Sequence, residues 1–194
     1  MPVNFNDSSE FIKDIKIFND GKAGVVENVR MRIEKKASTS PDDKMPNYKL
    51  IAADDRGEVN EGYYYQEPDS DAFNKYQAQR LIMLARGVFG EDVKFPVFNN
   101  PTEALDGIMK MVAPELGKKV WRVAVCYGTT KRKAAYLGFK PFGSFIQSMI
   151  EENTLSLGAG DSTERAPMKE ATPASELISS LGKEDTGLSW MDAK

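Results

Sequence analysis

The stretch from Gly24 to Lys36 constrains the fold more than any other. Val29, Met31 and Ile33 alternate with Arg30, Arg32 and Glu34, the period of two that a strand shows when one face is buried and the other meets solvent. Such a strand needs partners along its edges and a layer beneath its apolar face, and its exposed face here is basic. Partners are available. Ile15-Lys16-Ile17-Phe18 reads as a strand before the Asn19-Asp20-Gly21 turn, and Tyr48-Lys49-Leu50-Ile51-Ala52-Ala53 and Gly62-Tyr63-Tyr64-Tyr65-Gln66 flank a hairpin turn, Asp54-Asp55-Arg56-Gly57-Glu58. Further on, Val120 to Tyr127 and Ala134 to Lys140 return to strand, joined by the basic loop Gly128-Thr129-Thr130-Lys131-Arg132-Lys133.

Helices interrupt this series. One is expected from Ser70, a candidate cap, through Phe73, Tyr76, Leu81, Leu84 and Val88 to a stop at Gly90. A second begins at Asn100-Pro101-Thr102-Glu103, where Asn caps, Pro fits the first helical position and Glu sits at the third. Leu105, Ile108, Met109 and Val112 supply its apolar face. The order of strands, a helical insert over residues 70–117 and strands again predicts a β-rich α+β fold. From residue 153 the chain turns small and polar, as in Gly158-Ala159-Gly160-Asp161-Ser162-Thr163 and Ala171-Thr172-Pro173-Ala174-Ser175. The expected organisation is a folded domain over 1–152 and a flexible acidic tail over 153–194, with a short helix after Pro173. Charge divides similarly: residues 1–150 carry 22 Lys and Arg against 20 Asp and Glu, and residues 151–194 carry 4 against 9.

Absences narrow the chemistry. The 194 residues include no histidine and one cysteine, Cys126. His-based acid-base catalysis, Ser-His and Cys-His nucleophile pairs, four-cysteine zinc sites and CxxC redox pairs are therefore excluded. No GxxxxGK[ST] or GxGxxG loop occurs. No run approaches the roughly 18 apolar residues of a membrane span, and the first residues lack the basic start and apolar stretch of a signal peptide. A cytoplasmic chain without disulfides or membrane contact is expected. Pro41-Asp42-Asp43-Lys44 offers adjacent carboxylates in a loop where metal-dependent hydrolysis needs converging ones. Asp54 to Glu58 lacks the alternating ligands of a calcium loop and reads as a turn. No metal or cofactor is called for, and Cys126 reads as a small buried hydrophobe.

What remains is cations interleaved with aromatics on strands. Single-stranded nucleic acid exposes phosphates and base faces together, so its binders line a groove with Lys and Arg and offer flat rings for stacking. The candidates are Arg30, Arg32 and Lys35 on one strand; Lys49, Tyr63 and Tyr65 on the next pair; Trp121, Arg122 and Tyr127 on another; Lys131, Arg132 and Lys133 in the loop; and Tyr136 and Phe139 after it. A strand aromatic is more often core than platform. Trp121, Val123, Val125 and Tyr127 share a face with a buried look, leaving Arg122 opposite, so Trp121 reads equally as core and Arg122 as functional. The Lys131-Arg132-Lys133 run reads equally as a solvated hairpin tip.

The texture from Tyr48 through Glu58 to Tyr65, followed by a helical insert, the Val120 to Tyr127 strand and a basic hairpin into Tyr136-Leu137-Gly138-Phe139, resembles the single-stranded DNA-binding proteins of bacteriophages. The likeness spans residues 10–150 and implies an OB-fold, a five-stranded Greek-key barrel with inserted helices, that coats single-stranded DNA during phage replication or recombination without catalysis. It also implies that the tail end, with Leu188, Trp190, Met191 and Asp192, recruits replication proteins. The alternative is a virion or assembly protein using its β-rich domain and the helix around Ile108-Met109-Lys110-Met111 as interfaces. A third class is a carboxylate hydrolase built on Glu58 and Glu61.

Overall fold

The computed structural model describes residues 17–36, 46–65, 71–128 and 136–165, and for 71–73 only the backbone. Its elements run β1 (Gly24–Lys35), β2 (Tyr48–Ala53), β3 (Glu58–Tyr63), α1 (Asp71–Phe89), α2 (Pro101–Leu116), β4 (Trp121–Tyr127), β5 (Leu137–Phe139) and β6 (Ile146–Ser148). The fold is α+β, a six-stranded, mostly antiparallel sheet with two helices, and the sheet is not closed into a barrel. The path is β3-β2-β1-β4-β5, with β6 also on β4.

β1 organises the sheet because its two halves serve different partners. Arg30 to Lys35 pair with β2, and Gly24 to Val29 pair with β4. Between Val26 and Val29 the register shifts, and Asn28 takes φ 58°. Asn tolerates that left-handed backbone better than most residues, and the extra residue turns Val26 and Val29 to the same buried side. Beyond the bulge the alternation is as expected, with Val29 and Met31 buried and Arg30 and Arg32 exposed.

The strand expected over 134–140 is present as β5, and a sixth strand, β6, forms beyond it where none was expected. β5 pairs with residues 125–127 of β4, and β6 pairs with residues 121–123 of the same strand. Residues 140–145 leave the ladder between them, closed at the neck by Lys140 N to Ala124 O at 2.8 Å and Ala124 N to Phe145 O at 2.9 Å. Pro141 and Gly143, the latter at φ 73°, suit that excursion.

The barrel expectation fails at one seam. β3 packs against β5, yet no ladder joins them among the described residues. Arg80 of α1 spans the gap instead. Its Nε and Nη2 donate to both Glu61 oxygens on β3 at 2.9 and 2.7 Å, and its Nη1 donates to Lys140 O at 2.9 Å. The guanidinium lies 3.8 Å from the centre of the Phe145 ring.

The helices cover the remaining apolar face. α2 starts as its sequence signal demands: Asn100 Oδ1 accepts from Glu103 N at 2.8 Å, and Glu103 Oε2 accepts from Asn99 N at 2.9 Å. α1 ends at Gly90, whose φ of 97° few side chains tolerate. Leu81, Leu84 and Val88 of α1 meet Leu105, Ile108, Met109 and Val112 of α2 and the inward residues of the sheet in one core. α1 also presses on β6, since a Cβ at Gly87 would stand 2.5 Å from Ile146 O.

Two further expectations change. Phe18 to Gly21 form a short 3-10 turn, with Asn19 and Asp20 at positive φ, where a strand through Phe18 was expected. Residues 153–165, assigned by composition to the tail, fold back onto the body. Leu155 is buried, Gln147 and Thr154 bond each other through main chain and side chain, and Tyr127 N donates to Ser162 O. Among the described residues no helix is long and apolar enough to cross a membrane.

Candidate nucleic-acid interface

The sheet sorts the sequence candidates into three groups. The first is core. Tyr63, Trp121, Tyr127 and Phe139 are all buried. Trp121 sits on the inward face of β4 and donates from Nε1 to Leu116 O at 2.9 Å, tying the sheet to the end of α2. Tyr127 reaches Gly21 O with its hydroxyl, and Phe139 meets Phe145 edge to face with ring centres 5.4 Å apart. Burial pushes the Tyr63 hydroxyl well above the ordinary tyrosine range. Tyr63, Trp121 and Phe139 pack in the core, which a base would have to displace to reach them, while Tyr127 is buried at the edge of the β3–β5 seam.

The second group is engaged with other protein groups. Arg32 donates from Nη1 to Glu58 Oε1 at 2.9 Å and from Nε to Glu34 Oε1 at 3.0 Å. Arg122 pairs with Glu27 at 2.9 Å and also donates to Glu151 O at 2.6 Å, anchoring the turn after β6. Lys35 lies 3.4 Å from Asp106, whose carboxylate also accepts from the hydroxyls of Tyr48 and Tyr65. Burial alone would raise the Asp106 carboxyl, but these hydrogen bonds hold it below the usual carboxylate range. Tyr65 is thereby a tie between the sheet margin and α2.

The third group stays available. Tyr136 is 72% exposed at the start of β5, beside a cleft of about 300 Å³ at the open β3–β5 seam, bordered by Val59, Tyr127 and Leu137. Lys49 is half-buried on β2 and unshifted register places it opposite Glu34. Arg30 is exposed on β1 and pairs with no carboxylate among the described residues. That sets it apart among the described arginines: Arg32, Arg56, Arg80, Arg86 and Arg122 each face a carboxylate, and Arg165 is also engaged. Arg30 borders a 410 Å³ cleft with Met31, Leu116, Lys118, Lys119 and Val120.

Lys118 and Lys119 escape a reading based on strands because they lie in the turn after α2. Arg80 and Asp106 escape it too, since a lone Arg or Asp on a helix ordinarily signals a solvated face. The hydrolase candidates do not converge. Glu58 and Glu61 fall on opposite faces of β3 and are held by Arg32 and Arg80 respectively. Lys131, Arg132 and Lys133, and Leu188, Trp190, Met191 and Asp192, lie outside the described residues. No protein-family model, curated protein or solved structure matches the chain.

Proposed function

We propose that this protein binds single-stranded DNA without strong sequence preference, as a non-catalytic coat in the replication or recombination of a phage genome. The observation that carries the reading is the strand path: β3-β2-β1-β4-β5, with one long β1 shared by two partners and the helices inserted between β3 and β4. An OB-type barrel has its strands in this order, and we read the Arg80 staple as standing where such a barrel closes β3 on β5. Such barrels bind oligonucleotides over the second and third strands and the loops that follow the first and fourth. Here that surface offers Lys49 and, at the far end of the β4–β5 loop, the exposed ring of Tyr136. The loop itself contributes Lys131, Arg132 and Lys133 to the chain's cation supply. Phosphate contacts would supply most of the affinity and stacking would add about 1 to 3 kcal/mol per base.

Exposed Phe142 and Ile150, at 69% and 89%, favour a second reading as an assembly protein that buries these side chains against a neighbour. Salt separates the two. Titrating labelled oligo-dT at 50 and 200 mM salt is expected to show binding that weakens steeply as salt rises. Absence of binding at the lower salt overturns the DNA reading.

A further inference from the structure

We propose that Arg30, Lys118 and Lys119 form a phosphate-binding cleft for single-stranded DNA at the junction of β1 with the turn between α2 and β4. The inference rests on the DNA-binding reading and extends it to a part of the surface outside the strands and loops on which that reading stands. The cleft has about 410 Å³ of space, with Met31, Leu116 and Val120 as its apolar part and three cations at its margin. Among the residues that line it there is no carboxylate.

No single structural duty accounts for the three cations. Cations near a helix C-terminus commonly answer its exposed carbonyls, but here the last two of those carbonyls have other donors. Glu115 O accepts from the N–H groups of Gly117 and Lys118, and Leu116 O accepts from the Trp121 indole. Among the described residues Arg30 makes no ion pair, and Lys118 pairs only with Glu115, three residues earlier, at 2.7 Å, where both side chains reach solvent. A pair of that kind contributes less than about 1 kcal/mol, so a phosphate can take the lysine from it. Lys119 is held differently, with its ammonium 4.5 Å from the centre of the Trp121 ring. That contact fixes the side chain at the cleft while leaving its charge without a counter-ion among the described residues, so less entropy is lost when an anion arrives.

The apolar part fits the same ligand. Val120 remains 39% exposed, and a valine left in contact with water beside three cations suits a strand that presents a sugar edge between two phosphates. Arg30, on the outward side of β1 opposite Ala53 of β2 and itself lining the cleft, links the outward face of the sheet to it. The expected register is three phosphates, one per cation.

The test is the salt dependence of oligo-dT binding by the full chain. For single strands each neutralised phosphate contributes roughly 0.7 to the slope of log K against log salt. Replacing Arg30, Lys118 and Lys119 together by Gln is expected to lower the slope by about 2, and R30Q/K118Q, which leaves Lys119 on Trp121, by about 1.4. K118R/K119R keeps the charges and is expected to keep the slope. Melting temperatures of all variants separate lost contacts from lost folding, with the double variant informative even if loss of Lys119 loosens Trp121. An unchanged slope in R30Q/K118Q, with the unsubstituted chain binding normally, overturns the cleft alone. Failure of the unsubstituted chain to bind oligo-dT at any salt overturns both the cleft and the reading beneath it.

Discussion

At the β3–β5 seam Arg80 is 1% exposed and each of its three guanidinium nitrogens has an acceptor; at the β1–α2 cleft Arg30 is exposed, with no carboxylate partner among the described residues. The difference is one of solvation. A guanidinium taken out of water loses several kcal/mol of hydration, which only close partners can return, so Arg80 arrives with Glu61 and two backbone carbonyls and serves the fold. Arg30 keeps its water, adds little to stability, and retains its charge for an incoming anion. The paired Arg32, two residues along the same face of β1, lies between these extremes.

The largest expected effect is at Arg80. Replacing it by Ala leaves Glu61, itself mostly buried, facing the seam without a counter-charge, and a loss of about 3 kcal/mol or more is expected in urea unfolding. Where the variant remains folded, the salt slope of its DNA binding should match that of the unsubstituted chain. A variant of unchanged stability would break the contrast, because the seam would then hold without its staple.

Gly87→Ala probes the other contact of α1. A Cβ there meets the Ile146 carbonyl, a backbone atom that cannot swing aside, so a loss of about 1 to 3 kcal/mol is expected in the same assay. Ordinary stability in this variant would mean that β6 is free to move away from α1.

A smaller effect is expected at Asp106. Asp106→Asn removes the charge that accepts from Tyr48, Tyr65 and Lys35, at a cost of about 1 kcal/mol near neutral pH, given that the carboxylate is partly exposed. The sign with pH follows from its depressed folded-state pKa: the contribution is present above the unfolded value near 3.8 and is lost as pH falls through the folded one. The gap in stability between the two proteins should therefore narrow as the pH falls below about 4. A gap that stays constant through that fall would assign the loss to packing.

Smallest of all should be the stability change in Arg30→Gln, within about 0.5 kcal/mol. Arg32→Ala, which breaks exposed pairs, should lose less than about 1 kcal/mol. The contrast sharpens if only the Arg30 substitution also lowers the salt slope.

Local chemistry in this chain was readable wherever one short stretch contains both partners of an interaction. The cap at Asn100 and Glu103 is such a case. So is the β2–β3 turn, where Asp54 Oδ1 accepts from the N–H groups of Arg56 and Gly57 at 2.8 and 2.7 Å. The burial of Trp121, Val123, Val125 and Tyr127 on one face of β4 was readable from alternation. Alternation failed at the opposite face, where Ala124 and Cys126 are buried as well, because residues 153–165, whose small, polar composition looks like a linker, fold back against β4. Asp161, for example, belongs to a run of glycine and serine yet lies 3.7 Å from Lys140. The site was less readable than the fold. Cations and aromatics on strands were visible as types, but whether each is core, paired or available depends on partners 20 to 100 residues away, such as Glu58 for Arg32 and Glu27 for Arg122.

The most direct measurement is hydrogen–deuterium exchange of the full chain with and without saturating oligo-dT. The account predicts slowed exchange in peptides covering Arg30 on β1, the turn carrying Lys118 and Lys119, and Tyr136 at the start of β5, while the α1 peptide around Arg80 stays unchanged. Protection confined to the helices, with none at Arg30 or Lys118, would contradict it.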